Sequence, residues 1–333
     1  MSRVFAHGFG AVSPAGWGVP DLTAALEIGL PLPTQEMARP GWDRSLRVRN
    51  VPPPATRPAF LVHPRLRRAS VMAQHTVAAA LEALGDDAGR AQAGELRLAV
   101  IVSMLAGSVA YTRRFYEEVL RDPPTASPLI FPETVFNAPA SHLAAFLGTT
   151  AINYTLVGDE GSFLQGLALA ASWLDDGLAD ACIVVGVEEM DWIVADALRL
   201  FRRGLIYSSG AGAVYLKNDT GPVELAAVTD SFLFTQEQRR ADAARKMRAQ
   251  LPAGSPDELL CESDTSQAIW GDWAGRRLAL KGIFGEAFTA LAAWQCVAAG
   301  DAVRRRKFKA ANVSIIGADQ QAIGARLVNP DIF

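Results

Sequence analysis

The sequence AINYTLVGDEGS, residues 151–162, is the stretch on which the prediction of the fold depends. Ala151–Val157 is typical of a β-strand, and the apolar spacing of Phe163–Asp176 predicts a helix. The glycine-flanked turn between them places Glu160 at a strand-to-helix elbow. Elbows of this kind display nucleophiles, because the N–H groups at the start of a helix stabilise negative charge.

The side chain at the elbow is a carboxylate, which leaves two interpretations open. A thiol or hydroxyl at position 160 would be a strong candidate for a nucleophile. A carboxylate is instead a good ligand for the start of a helix, so Asp159, Glu160 and Ser162 can equally be helix caps.

Outward from the elbow, short strand-like runs alternate with longer helical runs. Asp180–Val187 (DACIVVGV) and Leu96–Ser103 (LRLAVIVS) are short and almost wholly apolar, which is typical of buried strands. This alternation predicts an α/β protein.

The same succession of strand, turn, helix and strand occurs at about 151–187 and at about 258–317. This indicates a duplicated architecture without a sequence repeat. We therefore expect a single domain made of two pseudo-repeated halves, at about 1–205 and 206–333.

Composition excludes several classes of protein. Half of the residues are hydrophobic, a fifth are charged and the net charge is −3, with no long basic run, so nucleic acid is not an expected partner. No apolar run approaches the ~18–20 residues of a membrane span, and the first residues show no secretory signal pattern. Three widely spaced cysteines (Cys182, Cys261 and Cys296) favour a reducing cytoplasm.

No motif for a phosphate-binding loop, a dinucleotide, zinc or calcium is present, so we expect neither a cofactor nor a metal. The chain has four histidines, and all of them lie in its first 142 residues (His7, His63, His75 and His142). A catalytic pair formed between the two halves therefore cannot take its base from the second half.

Four segments, in order and at similar spacing, resemble the β-ketoacyl synthase family, whose members condense acyl thioesters. The resemblance covers nearly the whole chain, and the four segments are Val4–Gly16 (VFAHGFGAVSPAG), Phe131–Ser141 (FPETVFNAPAS), Gly177–Glu189 (GLADACIVVGVEE) and Ser208–Val214 (SSGAGAV). The resemblance implies a thiolase-like fold, in which duplicated α/β halves form a layered αβαβα architecture.

The resemblance also implies where the catalytic cysteine and two histidines of the family should stand. The cysteine precedes by 17 residues the glycine that matches Gly177, which leads to Glu160. The first histidine, which follows a strand, matches Ser263. The second, which precedes the last long helix in a G-H-x-x-G motif, matches Gly282, or Lys281 if the alignment shifts by one residue. A glutamate forms no durable acyl intermediate from a thioester, so we expect condensing activity to be absent.

Family members that lack the cysteine are known as chain length factors. The resemblance thus implies a non-catalytic subunit that heterodimerises with an active ketosynthase, works with an acyl carrier protein and shapes the acyl tunnel in type II polyketide, aryl polyene or polyene biosynthesis. Phe131, Phe136 and Phe163 are candidates for tunnel or interface residues, and ordinary core packing is the competing interpretation for each.

Two further hypotheses remain open. The first is an enzyme of different chemistry, a decarboxylase or hydrolase of acyl-carrier thioesters in which Glu160 replaces the nucleophile, with Ser263 and Asp264 nearby. The second is a homodimeric acyl-binding protein outside polyketide assembly.

Overall fold

The computed structural model describes residues 3–262 and 269–332, which form fifteen β-strands and ten α-helices. The strands are β1 (Phe5–Ser13), β2 (Gly16–Trp17), β3 (Gln35–Met37), β4 (Leu46–Arg49), β5 (Leu98–Met104), β6 (Asn153–Val157), β7 (Ala181–Glu188), β8 (Tyr207–Ser208), β9 (Gly210–Lys217), β10 (Val223–Val228), β11 (Phe232–Leu233), β12 (Glu258–Glu262), β13 (Arg276–Ala279), β14 (Ala310–Ile316) and β15 (Gln321–Val328).

The helices are α1 (Val19–Ile28), α2 (Val71–Leu84), α3 (Asp87–Gln92), α4 (Val109–Arg121), α5 (Ala138–Leu147), α6 (Gly161–Asp175), α7 (Trp192–Phe201), α8 (Arg240–Ala249), α9 (Leu280–Phe284) and α10 (Phe288–Arg304). Short 3₁₀ turns lie at Ala59–Val62, Pro123–Thr125, Phe131–Glu133 and Pro330–Ile332.

Ten strands of the twelve-stranded large sheet form two five-strand units of identical topology, and the short strands β2 and β11 pair with β1 and β15. The first has the order β6-β5-β7-β9-β1 and the second the order β13-β12-β14-β15-β10, and the two join where β1 pairs with β10. In each unit the first three strands are parallel and the last two are antiparallel to their neighbours. The predicted duplication is therefore a duplication of strand order.

Helices α6 and α10 form the middle layer. Helix α6 packs on β5, β7 and β15, and α10 packs on β7, β9, β12 and β14, so both touch both units. Helices α2 and α5 cover the outer face of the first unit, and α8 covers the outer face of the second. The result is the layered α/β architecture that the sequence predicts, and its largest core cluster surrounds the middle layer.

The strands expected at Leu96–Ser103 and Asp180–Val187 are present as β5 and β7, shifted by one or two residues. Strand pairing puts β9 in the first unit and β10 in the second. The change between units therefore falls in the segment between these strands, whereas a division at 205/206 remains a prediction from sequence.

A pair of glycines lets α10 approach the sheet closely. Gly186 on β7 and Gly212 on β9 are direct neighbours in the strand register. A Cβ at Gly186 would lie 2.2 Å from the carbonyl oxygen of Thr289, and one at Gly212 would lie 2.7 Å from the Cβ of Ala293. Only glycine leaves room for the helix at these two positions.

Within residues 3–262 and 269–332, no helix is both long enough and apolar enough to cross a membrane.

We expect Gly186→Ala to lower the free energy of unfolding by about 1–3 kcal/mol, because α10 must move away from the added methyl group. Thermal unfolding measures this as a drop in Tm of several degrees. Gly89→Ala is the matched control, since a Cβ at Gly89 meets nothing within 4 Å. A Gly186→Ala variant as stable as Gly89→Ala would contradict the close packing of α10.

Candidate functional site

The predicted elbow is present between β6 and α6. Glu160 is the residue immediately before α6, and it is 5% exposed. The capping role falls on its neighbour Asp159, whose carboxylate accepts the N–H of Gly161 at 3.1 Å and that of Gln320 at 2.9 Å. Burial is the main cause of the raised pKa of Asp159, and the hydrogen bonds from these backbone N–H groups act in the opposite direction.

The carboxylate of Glu160 points away from the helix and towards the loop between β14 and β15. It accepts the N–H of Ala318 in that loop at 2.6 Å, and the backbone N–H of Glu160 itself also stabilises its charged form. Backbone N–H groups that converge on one point beside a helix start are the kind of donors that hold an oxyanion during acyl transfer. Here the protein's own carboxylate occupies them.

Burial, together with the negative charge of Glu286, raises the pKa of Glu160 to about 8, and Lys281 partly opposes this shift. The side chain is therefore mostly protonated at neutral pH, and it is then also a hydrogen-bond donor. The main cause of this state is the burial of the carboxyl group away from water, which disfavours its charged form.

Glu286 is completely buried just before α10. One carboxylate oxygen lies 2.6 Å from Nζ of Lys281 and 3.9 Å from a guanidinium nitrogen of Arg202. The other accepts the N–H of Phe288 at 3.0 Å. Two cations and a backbone N–H thus meet the carboxyl group of Glu286, and such partners are what a buried carboxylate requires.

Two arginines complete the surroundings of the elbow. Arg202 donates to the carbonyl oxygen of Ala318 at 2.6 Å, and Arg240 donates to the same oxygen at 2.8 Å and to that of Ile316 at 2.9 Å. Burial lowers the pKa of Arg240, and the charge of Arg202 adds to this effect. The two guanidinium groups thereby fix the loop whose N–H reaches Glu160.

We call this group of side chains the elbow cluster, and it consists of Glu160, Arg202, Arg240, Lys281 and Glu286. It contains two carboxyl groups and three cations, with neither a thiol nor an imidazole. It can hold a proton or an anionic group, but it has no side chain that accepts an acyl chain from a thioester to give a stable intermediate.

The residues predicted from sequence to replace the family's catalytic residues do not all lie at the elbow. Glu160 lies at the elbow as expected from its neighbours. Ser263 and Asp264 lie outside the described residues. Gly282 is exposed and a Cβ there meets nothing within 4 Å, whereas Lys281 beside it belongs to the elbow cluster.

Glu286 is the functional candidate that sequence reasoning missed. A signal for it exists in the sequence, because Gly285-Glu286 stands directly before α10, the last long helix, and so has the context of a G-H motif. Arg202 and Arg240 carry no comparable signal, since they come from separate segments that meet only in the folded chain.

The three phenylalanines predicted to shape a tunnel or an interface do not lie together. Phe163 is fully buried in the core around α6. Phe131 and Phe136 are 55% and 44% exposed, with the ring of Phe131 5.5 Å from that of Phe115. Core packing accounts for the burial of Phe163, and the other two rings are available for contact with a partner.

Among the described residues, no group of three or more His, Cys, Asp or Glu side chains is placed to hold a metal ion. The three cysteines are buried free thiols, and burial raises the pKa of each.

The family model "Beta-ketoacyl synthase, N-terminal domain" matches residues 55–221 of the 333. No curated protein matches the chain by sequence.

Solved structures match over nearly the full length of both chains. A β-ketoacyl synthase from Burkholderia phymatum has a TM-score of 0.79 at 17% identity and covers 99% of this chain and 100% of its own. A ketosynthase in complex with its chain length factor from Xenorhabdus doucetiae has a TM-score of 0.79 at 15% identity, with 98% of both chains covered.

A complex of a type II polyketide synthase acyl carrier protein with its ketosynthase has a TM-score of 0.77 at 14% identity, with 98% of this chain and 99% of that chain covered. The structural similarity shows a shared thiolase-like fold. At sequence identities this low it does not assign a function to this chain.

The raised pKa of Glu160 predicts a specific dependence of stability on pH. An acid with a higher pKa in the folded than in the unfolded protein makes folding less favourable as pH rises between the two values. For Glu160 this window runs from 4.5 to about 8. Glu160→Gln removes the titration and keeps an acceptor for Ala318, so its Tm should fall less steeply between about pH 5 and 8 than that of the wild type.

The matched control is Glu237→Gln, which changes an exposed glutamate and should keep the wild-type slope. Burial also raises the pKa of Glu188 to about 8, so part of the slope should remain in Glu160→Gln. Identical slopes in Glu160→Gln and the wild type would show that Glu160 is not a buried, protonated carboxyl group.

Proposed function

The chain belongs to the β-ketoacyl synthase family, and from this premise we propose that it is a chain length factor-like subunit. In this proposal it has no condensing activity of its own and acts by forming a heterodimer with an active ketosynthase. The observation that carries the proposal is the carboxylate of Glu160, which accepts the N–H of Ala318 at the elbow.

Condensation of two acyl thioesters needs a thiolate to carry one chain and donors to stabilise the oxyanion and enolate that form. Glu160 supplies no thiolate, and its own carboxylate uses the donor that an oxyanion would need. When charged, it also repels a developing enolate. The chemistry therefore has to come from a partner.

We further propose that Glu286, rather than Gly282, stands where the family has its second histidine. This is supported by its position two residues before α10 and by its charge acting on Glu160. Glu286 lies 2.6 Å from the ammonium group of Lys281, and a carboxylate only accepts hydrogen bonds, so it has no proton to donate to an enolate. In this proposal, two of the three positions where the family has catalytic residues lie in the described part of the chain, and both hold a glutamate.

The surface that would receive the ketosynthase is an exposed apolar area at one end of the large sheet, where β6 is the edge strand. We call it the β6 face. It comprises Leu129, Phe131, Val135, Phe136, Tyr154 and Val157, each between 38% and 73% exposed.

The members of the β6 face connect through the end of β5. The ring of Phe136 packs over Gly107, where a Cβ would lie 2.8 Å from it, and Met104 at the end of β5 pairs with Val157. An unprotected apolar edge strand is a template for pairing with another chain. The opposite edge, β13, carries Arg276 and Arg277 instead, so the β6 face is the better site for a subunit.

The proposed setting is type II polyketide, aryl polyene or polyene biosynthesis in the cytoplasm, with an acyl carrier protein that delivers the growing chain to the heterodimer. Support comes from the solved complexes of similar fold, which include a ketosynthase with its chain length factor and an acyl carrier protein with its ketosynthase. Phe131 and Phe136 would then contribute to the interface or to the partner's acyl tunnel.

Co-expression with a ketosynthase encoded by a neighbouring gene should yield a 1:1 complex in size-exclusion chromatography. Phe131→Asp combined with Phe136→Asp should abolish this complex, because two charges would be buried without partners. Leu30→Asp is the matched control, since Leu30 is 67% exposed outside the β6 face, and it should leave the complex intact.

A homodimer that forms in place of the mixed complex would support an acyl-binding protein outside polyketide assembly. Loss of the complex in both the double variant and the control would show that the β6 face has no special role.

One observation favours a second candidate function, that of a decarboxylase or hydrolase of acyl-carrier thioesters. With its pKa raised to about 8, the carboxyl group of Glu160 falls in the range that suits a general acid near neutral pH. The purified chain would then consume malonyl-carrier thioester alone, and Glu160→Ala would stop it. We expect no turnover by the isolated chain, and turnover that depends on Glu160 would replace the proposal of a non-catalytic subunit.

A further inference from the structure

A cavity of about 390 Å³ opens beside the β6 face, between the 3₁₀ turn at Phe131–Glu133 and the start of α5. Its volume falls within the range of about 300–1,000 Å³ that is typical of ligand pockets. Four apolar side chains contribute to its wall, namely Phe131, Pro132, Val135 and Ala138. We call this cavity, which polar residues also line, the α5 pocket. Phe131 and Val135 belong to the β6 face as well, so a partner seated on that face would cover the pocket.

Two polar residues of the α5 pocket form a hydrogen-bonded pair. Glu133 is 7% exposed, and one of its carboxylate oxygens lies 2.6 Å from Nε2 of His142. The other oxygen accepts the backbone N–H of Ser70 at 3.0 Å. Burial acts to raise the pKa of Glu133, but the hydrogen bonds from His142 and Ser70 outweigh burial and lower this pKa below its ordinary value. Glu133 is therefore ionised near neutral pH and only accepts hydrogen bonds.

The ionised carboxylate fixes which ring nitrogen of His142 carries the proton. Nε2 has to donate to Glu133, so the lone pair of the neutral imidazole lies on Nδ1. Nδ1 has no hydrogen-bond partner within residues 3–262 and 269–332. The side chain of His142 is 17% exposed and lines the pocket. The pocket thus offers a ligand one hydrogen-bond acceptor whose identity the protein itself sets.

The charges around the α5 pocket favour an uncharged ligand. Glu133 contributes one negative charge, and the exposed Arg65 contributes one positive charge. Among the described residues that line the pocket, no other side chain is charged while His142 is neutral. A bound carboxylate or ammonium group would leave an unbalanced charge, which is costly where water is excluded.

We propose that the α5 pocket receives the phenol group of a tyrosine side chain from the partner ketosynthase, an inference that rests on the proposed subunit function. A phenol has an apolar ring, which suits the four apolar side chains, and one O–H, which donates to Nδ1 of His142. Tyrosine is also enriched among the residues that contribute most to binding at protein interfaces, where such residues fill pockets of the other subunit.

Ligand-observed NMR on the purified chain tests the chemistry of the pocket, with p-cresol, 4-methylanisole and 3-methylindole as probes. p-Cresol is the side chain of tyrosine, 4-methylanisole has the same ring without the O–H donor, and 3-methylindole is the side chain of tryptophan. We expect p-cresol to bind roughly threefold to tenfold more tightly than 4-methylanisole, which is the difference that one net hydrogen bond makes. His142→Phe should remove this preference, because a phenyl ring has no acceptor.

A second variant tests whether the ketosynthase supplies the phenol. Ser141→Phe adds a ring to the pocket from an exposed position of α5. It should abolish p-cresol binding and weaken the complex with the ketosynthase at least tenfold in biolayer interferometry. The matched control is Ser45→Phe, which adds the same ring at an exposed serine outside the pocket and should leave both affinities within about twofold.

The outcomes separate this inference from the subunit function. Binding of no probe, equal affinity for p-cresol and 4-methylanisole, or tighter binding of 3-methylindole would overturn the assignment to tyrosine and leave the subunit function untouched. A complex that Ser141→Phe does not weaken would show that the ketosynthase places no side chain in the pocket. A wild-type chain that forms no complex would overturn the subunit function and the partner's tyrosine together, whereas a preference for p-cresol would still show that the pocket binds a phenol.

Discussion

The contact between the carboxylate of Glu160 and the N–H of Ala318 is the interaction on which the rest of this site depends. It joins the elbow of the first sheet unit to the loop between β14 and β15 of the second. Arg202 and Arg240 hold that loop through its carbonyl oxygens, and Lys281 with Glu286 closes the remaining side. A position that could expose a nucleophile to a substrate is instead an internal link between the two units.

This link has an energetic consequence. Several carboxyl groups are buried around the elbow, and burial is the largest cause that raises the pKa of Asp159, Glu160 and Glu188. Their charged forms are tolerated only where backbone N–H groups or cations meet them. The charged groups of the site thus have their partners within the protein, whereas the exposed apolar side chains of the β6 face remain open for interaction.

Much of the fold could be predicted from sequence, because apolar runs such as Asp180–Val187 and the elbow at 158–162 are local signals. The position of Glu160 followed from counting along a resembling motif. Glu286 has a local signal in the Gly285-Glu286 pair ahead of α10, but its closeness to Glu160, 126 residues away in sequence, is a property of the folded chain. The exposure of Phe131 and Phe136 and the burial of Phe163 depend in the same way on which elements cover them, and an aromatic side chain has the same local pattern in both settings.

Intact-protein mass spectrometry of the heterodimer after exposure to an acyl-carrier thioester tests the central claim most directly. The account predicts an acyl adduct on the ketosynthase and an unchanged mass for this chain, because Glu160 and its neighbours cannot retain an acyl group. An acyl adduct on this chain, lost when Glu160 is replaced by alanine, would contradict it.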